Sequence, residues 1–220
     1  MKKLILLFTL SVTAHAFDIA QIDWSKVTSQ VRWLNLTTEP SLLTLAIDDF
    51  EALKKLKSGS IYPHTKFPTG SYRANILDYQ KNTWDSFILN IKYSKKYTIV
   101  TMGTKPNILN LVIEETETPT KKGFSRVRLF NACPGTIIEW KTSIEKELKR
   151  IEFGKSGELE FSTNEPPNIF PLIEGTNIRK RELRLPIKQE RDSNFLVFVH
   201  LNETDDATPE ITLINEGSSE

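Results

Sequence analysis

Cysteine is nearly missing from this chain: Cys133 is the only one in 220 residues. A single thiol excludes an intramolecular disulfide, so the fold must be held by its apolar core. Cys133 follows the strand-like run ending Phe130-Asn131-Ala132 and reads as a small buried residue. Histidine is scarce too, with three in the sequence, His15, His64 and His200. None has a metal-ligand spacing or a local nucleophile and orienting acid beside it. His64 reads as a loop residue and His200 as the edge of a strand. No G-x-S-x-G elbow or Gly-Asp-Ser motif occurs. Gly154-Lys155-Ser156-Gly157 superficially matches a phosphate loop, but Lys149 stands where its first glycine should be, so it reads as a turn. The acidic pairs Asp48-Asp49, Glu114-Glu115 and Asp205-Asp206 read as loops without calcium-loop spacing. These absences lead to the expectation of no catalytic residue, no cofactor and no metal. Charge of one sign is missing as well: 29 basic residues face 28 acidic ones. A balanced chain has no long-range field with which to hold nucleic acid. Clusters such as Lys54-Lys55, Lys95-Lys96 and Arg179-Lys180-Arg181 read as solvated loops or edge-strand protection.

Met1-Lys2-Lys3, the apolar run Leu4–Val12 and Ala14-His15-Ala16 form a basic start, a short apolar stretch and an A-x-A site. This is the pattern of a secretory signal peptide covering residues 1–16. The run is too short for a bilayer anchor, and no later stretch is long and apolar enough to span. Phe17 follows the cut instead of a lipid-accepting cysteine. The expectation is a periplasmic protein with no membrane anchor of its own.

An internal repeat organises the rest of the chain. Gln30-Val31-Arg32-Trp33-Leu34-Asn35 resembles Arg126-Val127-Arg128-Leu129-Phe130-Asn131. Phe87–Lys92 aligns with Leu183–Lys188, and Tyr97-Thr98-Ile99-Val100 with Phe195-Leu196-Val197-Phe198. The polar stretch around Pro119 reads as a linker. The predicted domains are residues 17–118 and 119–220. Tyr72, Ala74 and Ile76 alternate with polar residues; Phe87, Leu89 and Ile91 share a face; Leu159 and Phe161 alternate with Glu158 and Glu160. Period two with one wet face predicts antiparallel strands. The fold class is therefore all-β: two tandem antiparallel β-sandwich domains related by the repeat. Pro186 inside such a pattern suggests an edge strand. Leu42–Leu56 and Ile144–Ile151 approach helical spacing and stay open between short helices and strands; for the first, Asp48-Asp49 favours a strand and turn.

Aromatic residues are the candidates for binding. Trp33 reads as core. Trp84, in Lys81-Asn82-Thr83-Trp84-Asp85, reads as a hairpin tip and is the candidate binding residue.

The order V-R-[aromatic or Leu]-[apolar]-N at Val31–Asn35, P-x-G-x-Y at Pro68–Tyr72, the alternation Phe87–Ile91, Tyr97–Val100 and then a second V-R-L-F-N at Val127–Asn131 resembles the AlgF family, periplasmic accessory proteins of alginate O-acetylation. More loosely it resembles the exported β-sandwich domains classed as DUF4397. The first resemblance implies a non-catalytic periplasmic adaptor supporting O-acetylation of an alginate-like exopolysaccharide. Its partners would be periplasmic or membrane O-acetyltransferase proteins and an anionic polysaccharide. The second implies a secreted or surface carbohydrate-binding or adhesion module unconnected to acetylation.

Overall fold

A computed structural model describes residues 28–39, 42–48, 50–116, 122–142, 149–162, 164, 169–175, 178–183, 193–201 and 208–218. The predicted signal peptide, Asp49, the linker around Pro119, Ile144, Leu148, Pro186 and Asp205-Asp206 lie outside these residues. Every described element is a strand: β1 (Thr28–Glu39), β2 (Leu42–Ile47), β3 (Phe50–Lys57), β4 (Ile61–Pro68), β5 (Gly70–Leu77), β6 (Thr83–Ile91), β7 (Lys96–Thr104) and β8 (Asn107–Glu114), then β9 (Phe124–Asn131), β10 (Ile137–Thr142), β11 (Lys149–Glu152), β12 (Ser156–Ser162), β13 (Ile169–Gly175), β14 (Ile178–Glu182), β15 (Ser193–Leu201) and β16 (Pro209–Ser218). The all-β expectation holds. Leu42–Leu56 is strand, turn and strand, with Asp48 at φ 50° in the turn.

Four sheets result. Sheet I has the order β4-β1-β7-β8, sheet II β3-β2-β5-β6, sheet III β12-β9-β15-β16 and sheet IV β11-β10-β13-β14. Adding eight to each strand number of sheets I and II gives sheets III and IV. The register agrees as well: Val31 lies opposite Tyr97 as Val127 lies opposite Phe195. These two central pairs, β1 with β7 and β9 with β15, are parallel, so sheets I and III are mixed where the sequence predicts antiparallel pairing throughout.

Parallel central strands call for cover on both faces, and they have it. On β1 and β7, Val31, Trp33, Tyr97 and Ile99 pack with Leu43, Leu45, Ala74, Ile76 and Leu89 between sheets I and II. On β9 and β15, Val127, Leu129, Phe195, Val197 and Val199 pack with Ile138, Trp140, Leu159 and Ile173 between sheets III and IV. The sequence predicts these two cores. It does not predict the third, in which Leu34, Leu36, Val100, Met102 and Ile113 of the first half meet Phe130, Leu196, Phe198 and Ile214 of the second. There Phe130 and Phe198 stack at 5.0 Å between ring centres. The sheets thus stack in the order II, I, III, IV. A fully buried side chain of this kind contributes roughly 1.5–3 kcal/mol, so the third core joins the halves into one body.

The V-R-x-x-N motif is explained by this stacking. Its valine enters the inner core of its own half, its arginine faces the other half, and its asparagine pins the hairpin beside it. Asn35 donates through Nδ2 to Leu56 O at 3.0 Å, and Asn131 donates likewise to Ile151 O at 3.0 Å. Both asparagines are fully buried.

Gly103, in β7 just before its turn into β8, has φ 97°, and a Cβ there would lie 2.2 Å from the backbone oxygen of Asn107. Gly59 has φ 70° and open space around it. Gly103→Ala is expected to destabilise the protein by about 1–3 kcal/mol, more than Gly59→Ala, which bears the backbone cost alone. Thermal unfolding of the two variants checks the order.

Candidate functional site

The outward face of sheet II carries a groove and a cleft lined by charged, amide and hydroxyl side chains. Because β5 and β6 alternate, Ala74, Ile76 and Leu89 turn into the core, and Arg73, Asn75, Ser86 and Ile88 turn to solvent. A groove of about 510 Å³ is lined by Asp48, Arg73, Asn75, Thr83 and Ser86. Its floor is ordered by hydrogen bonds: Ser86 Oγ donates to Asn75 Oδ1 at 2.7 Å, and the Arg73 amide donates to Asp48 Oδ1 at 3.0 Å. A second cleft of about 150 Å³ lies on the same sheet, lined by Leu42, Thr44, Lys55, Leu77, Asp78, Tyr79 and Lys81. Lys55 and Lys81 both hold left-handed backbone, at φ 54° and 66°, a conformation that a lysine adopts only where the surroundings hold it.

The wall of this cleft is a loop built on Asp78. Its Oδ1 accepts the amides of Gln80 and Asn82 at 2.8 and 2.9 Å. Its Oδ2 accepts Asn82 Nδ2 and Trp84 Nε1, each at 3.0 Å. Burial opposes the charge on Asp78, but these donors outweigh it and bring the carboxyl down to about 2. Tyr79 projects from the loop, 72% exposed, more than any other large apolar or aromatic side chain described.

Trp84, the ring singled out from sequence, is placed differently from the expectation. It is the second residue of β6, half-buried against the core of sheets I and II, with its N–H held by Asp78. Lys105 Nζ lies 4.9 Å from the ring centre. An indole with its donor satisfied and a cation over its face braces the loop that presents Tyr79. Tyr79 carried no distinguishing signal in the sequence; the run Asp78-Tyr79-Gln80-Lys81-Asn82, rich in turn formers, could have pointed to it.

The other sequence candidates fall elsewhere. His64 lies within β4, not in a loop, and its Nε2 is 2.9 Å from Glu115 Oε1. Glu115, expected in a loop, is fully buried at the side chain; its Oε1 also accepts from Thr98 Oγ1 at 2.6 Å and lies 2.9 Å from Arg32 Nε. Across the third core, Arg128 Nη2 lies 3.5 Å from Glu216 Oε1. Each half therefore contributes one arginine and one glutamate to a charged cluster at the junction of sheets I and III. Burial pulls the Arg32 guanidinium below its usual range, while Glu115 and Glu216 oppose that shift. His200 is buried in β15 and not at an edge, its Nε2 2.9 Å from Thr212 Oγ1. Burial pushes the Cys133 thiol up to about 12, which keeps it protonated and poorly nucleophilic at neutral pH. Among the described residues, no group of three or more His, Cys, Asp or Glu side chains is arranged to hold a metal ion. No helix among them is long and apolar enough to cross a membrane.

No curated protein sequence matches the chain. Among solved structures it is similar to a Bacteroides uniformis protein described in terms of cell adhesion, with 8% identity and a TM-score of 0.26 over 86% of this chain and 96% of that one. Of the two resemblances read from the sequence, the family comparison supports the looser: residues 29–137, from β1 to the start of β10, match the model of DUF4397, a domain of unknown function.

Proposed function

We propose that this is an exported, non-catalytic binding module that takes an anionic polysaccharide on the outward face of sheet II. The observation that carries the reading is the presence on one sheet of two clefts with an exposed ring, Tyr79, and the cations Arg73, Lys55 and Lys81 beside amide and hydroxyl groups. Sugar rings stack on exposed aromatic faces, and carboxylated sugars match a guanidinium fork and ammonium groups. The buried cluster around Glu115 has no comparable access, since its carboxylate is enclosed. The adaptor role in O-acetylation that the AlgF resemblance implies would use the same face, but no structural observation favours it over plain polysaccharide binding.

Titration calorimetry with alginate and with a neutral glucan tests the reading. Binding to alginate is expected, weakening with salt. Tyr79→Ala and Arg73→Ala should each lower affinity about tenfold, which corresponds to about 1.4 kcal/mol. No binding to either polymer, or binding indifferent to both substitutions, would refute it.

A further inference from the structure

Open sheet edges are templates for strand pairing, and proteins guard them with lysine, proline, bulges or short strands. Most edges here are guarded. In the first half, β4 carries Pro63, Lys66 and Pro68, and β3 carries three lysines. In the second half, β14 is Ile-Arg-Lys-Arg-Glu, and β16 opens on Pro209. The edge strands β8 of sheet I and β6 of sheet II both lack proline and basic residues. On β8, Glu114 is paired with Lys92 and Lys95 and the side chains are mostly half-buried, whereas β6 exposes a large aliphatic side chain at its middle. Its nine residues, Thr-Trp-Asp-Ser-Phe-Ile-Leu-Asn-Ile, contain no proline, lysine or arginine. The one charge, Asp85, is turned back into the molecule, where its Oδ2 accepts Asn110 Nδ2 of β8 at 2.6 Å. Ile88, at the middle of the exposed stretch, is 61% exposed, the most exposed large aliphatic side chain described.

We infer that β6 pairs antiparallel with the β6 of a second copy of this chain, joining two copies of sheet II into one continuous sheet. The strand is self-complementary about Ile88. With a twofold axis through that residue, Ile88 meets Ile88, Phe87 meets Leu89, and Ser86 meets Asn90. Opposite residues in an antiparallel pair share a face. In this register the core-side pair, Phe87 with Leu89, and the outward pair, Ser86 with Asn90, stay on their proper faces. No like charges oppose each other, since Asp85 falls opposite Ile91. A twofold contact of this kind is isologous, the commonest way in which one chain forms a dimer. It would also set the grooves lined by Thr83 and Ser86 side by side, although the pairing does not depend on what those grooves bind.

Sedimentation velocity of the purified protein over a concentration series should show a reversible dimer. Ile88→Lys places two ammonium groups across the axis and should weaken association at least tenfold, with an unchanged far-ultraviolet spectrum and melting midpoint of the monomer. Ile61→Lys, on the guarded edge β4, should leave the dimer intact. Ile88→Cys should form an intermolecular disulfide on mild oxidation, because opposed Cβ atoms on paired strands come within about 4.5–5.5 Å and Cys133 is buried. A protein that stays monomeric at all concentrations would overturn the inference. So would a dimer that survives Ile88→Lys and fails to cross-link through Ile88→Cys.

Discussion

Replacing Glu115 by alanine is expected to destabilise the protein by about 3–5 kcal/mol, the usual cost of removing one partner of a buried ion pair. The Glu115 side chain is 0% exposed and that of Arg32 10%. Deleting the carboxylate leaves the Arg32 guanidinium in a poorly solvated site whose other acceptor is Thr98 Oγ1, at 2.7 Å from Nε. Thr98 and His64 lose the same oxygen. The cost is therefore desolvation of a stranded cation more than the loss of one contact. Two companion variants separate these effects. Glu115→Gln keeps an acceptor but not the charge and should fall between wild type and alanine. Arg32→Met combined with Glu115→Leu removes both charges and should recover much of the loss, because an apolar replacement for a buried pair is often neutral or better. Urea unfolding of the three proteins gives the comparison. A loss below about 1 kcal/mol for Glu115→Ala, the range of exposed pairs, would mean that water reaches the cluster.

The position of this cluster shows where sequence reasoning stops. Alternation along one strand reveals that strand's two faces, and it served well for Ala74 and Ile76, which are buried, and for Leu159 and Phe161 between the exposed Glu158 and Glu160. It served less well for β1, β7, β9 and β15, whose two faces are both covered. There the apolar pattern is nearly continuous, as in Phe195–Val199, and the few polar residues on the second face, such as Arg32 and Thr98, are themselves buried and do not mark it as wet. The third core is written in that continuity, in Leu34 and Phe130 as much as in Trp33 and Leu129. Arg32 and Arg128 were visible as charges inside apolar runs, but a strand pattern does not name a partner that is distant in sequence. Glu115 and Glu216 reach them only because β8 and β16 lie beside β7 and β15. The proposed binding face was legible in part. Trp84 lies at the right loop, yet its N–H demands an acceptor, and Asp78 supplies one from six residues upstream. That bond converts the expected exposed ring into a support and leaves Tyr79 as the ring on offer.

The junction also carries a pH dependence whose sign follows from Glu216. Burial pushes its carboxyl up to about 7; Arg128 opposes the shift, Glu115 adds to it, and a backbone amide and Arg32 oppose it. A carboxyl raised in the folded state binds its proton where the unfolded chain has already released it. Its contribution to stability is therefore complete below the unfolded value, 4.5, and is lost as pH rises through about 7. The displacement corresponds to about 3 kcal/mol between those limits. His200 acts in the opposite sense, because burial lowers its value and the unfolded chain takes up a proton first as pH falls below 6.5. The total stability curve thus mixes two slopes, but the difference between wild type and Glu216→Gln isolates one of them. His200 lies in both proteins and cancels, and glutamine does not titrate. Unfolding free energies measured from pH 4 to 8 should show the variant gaining on wild type by about 3 kcal/mol as pH rises from 4.5 to 7. The offset at low pH reports the weakened contact with Arg128; the rise reports the proton. A difference that stays flat across the range would show that Glu216 ionises with an ordinary carboxyl value, and the junction of the two sandwiches would then be open to solvent.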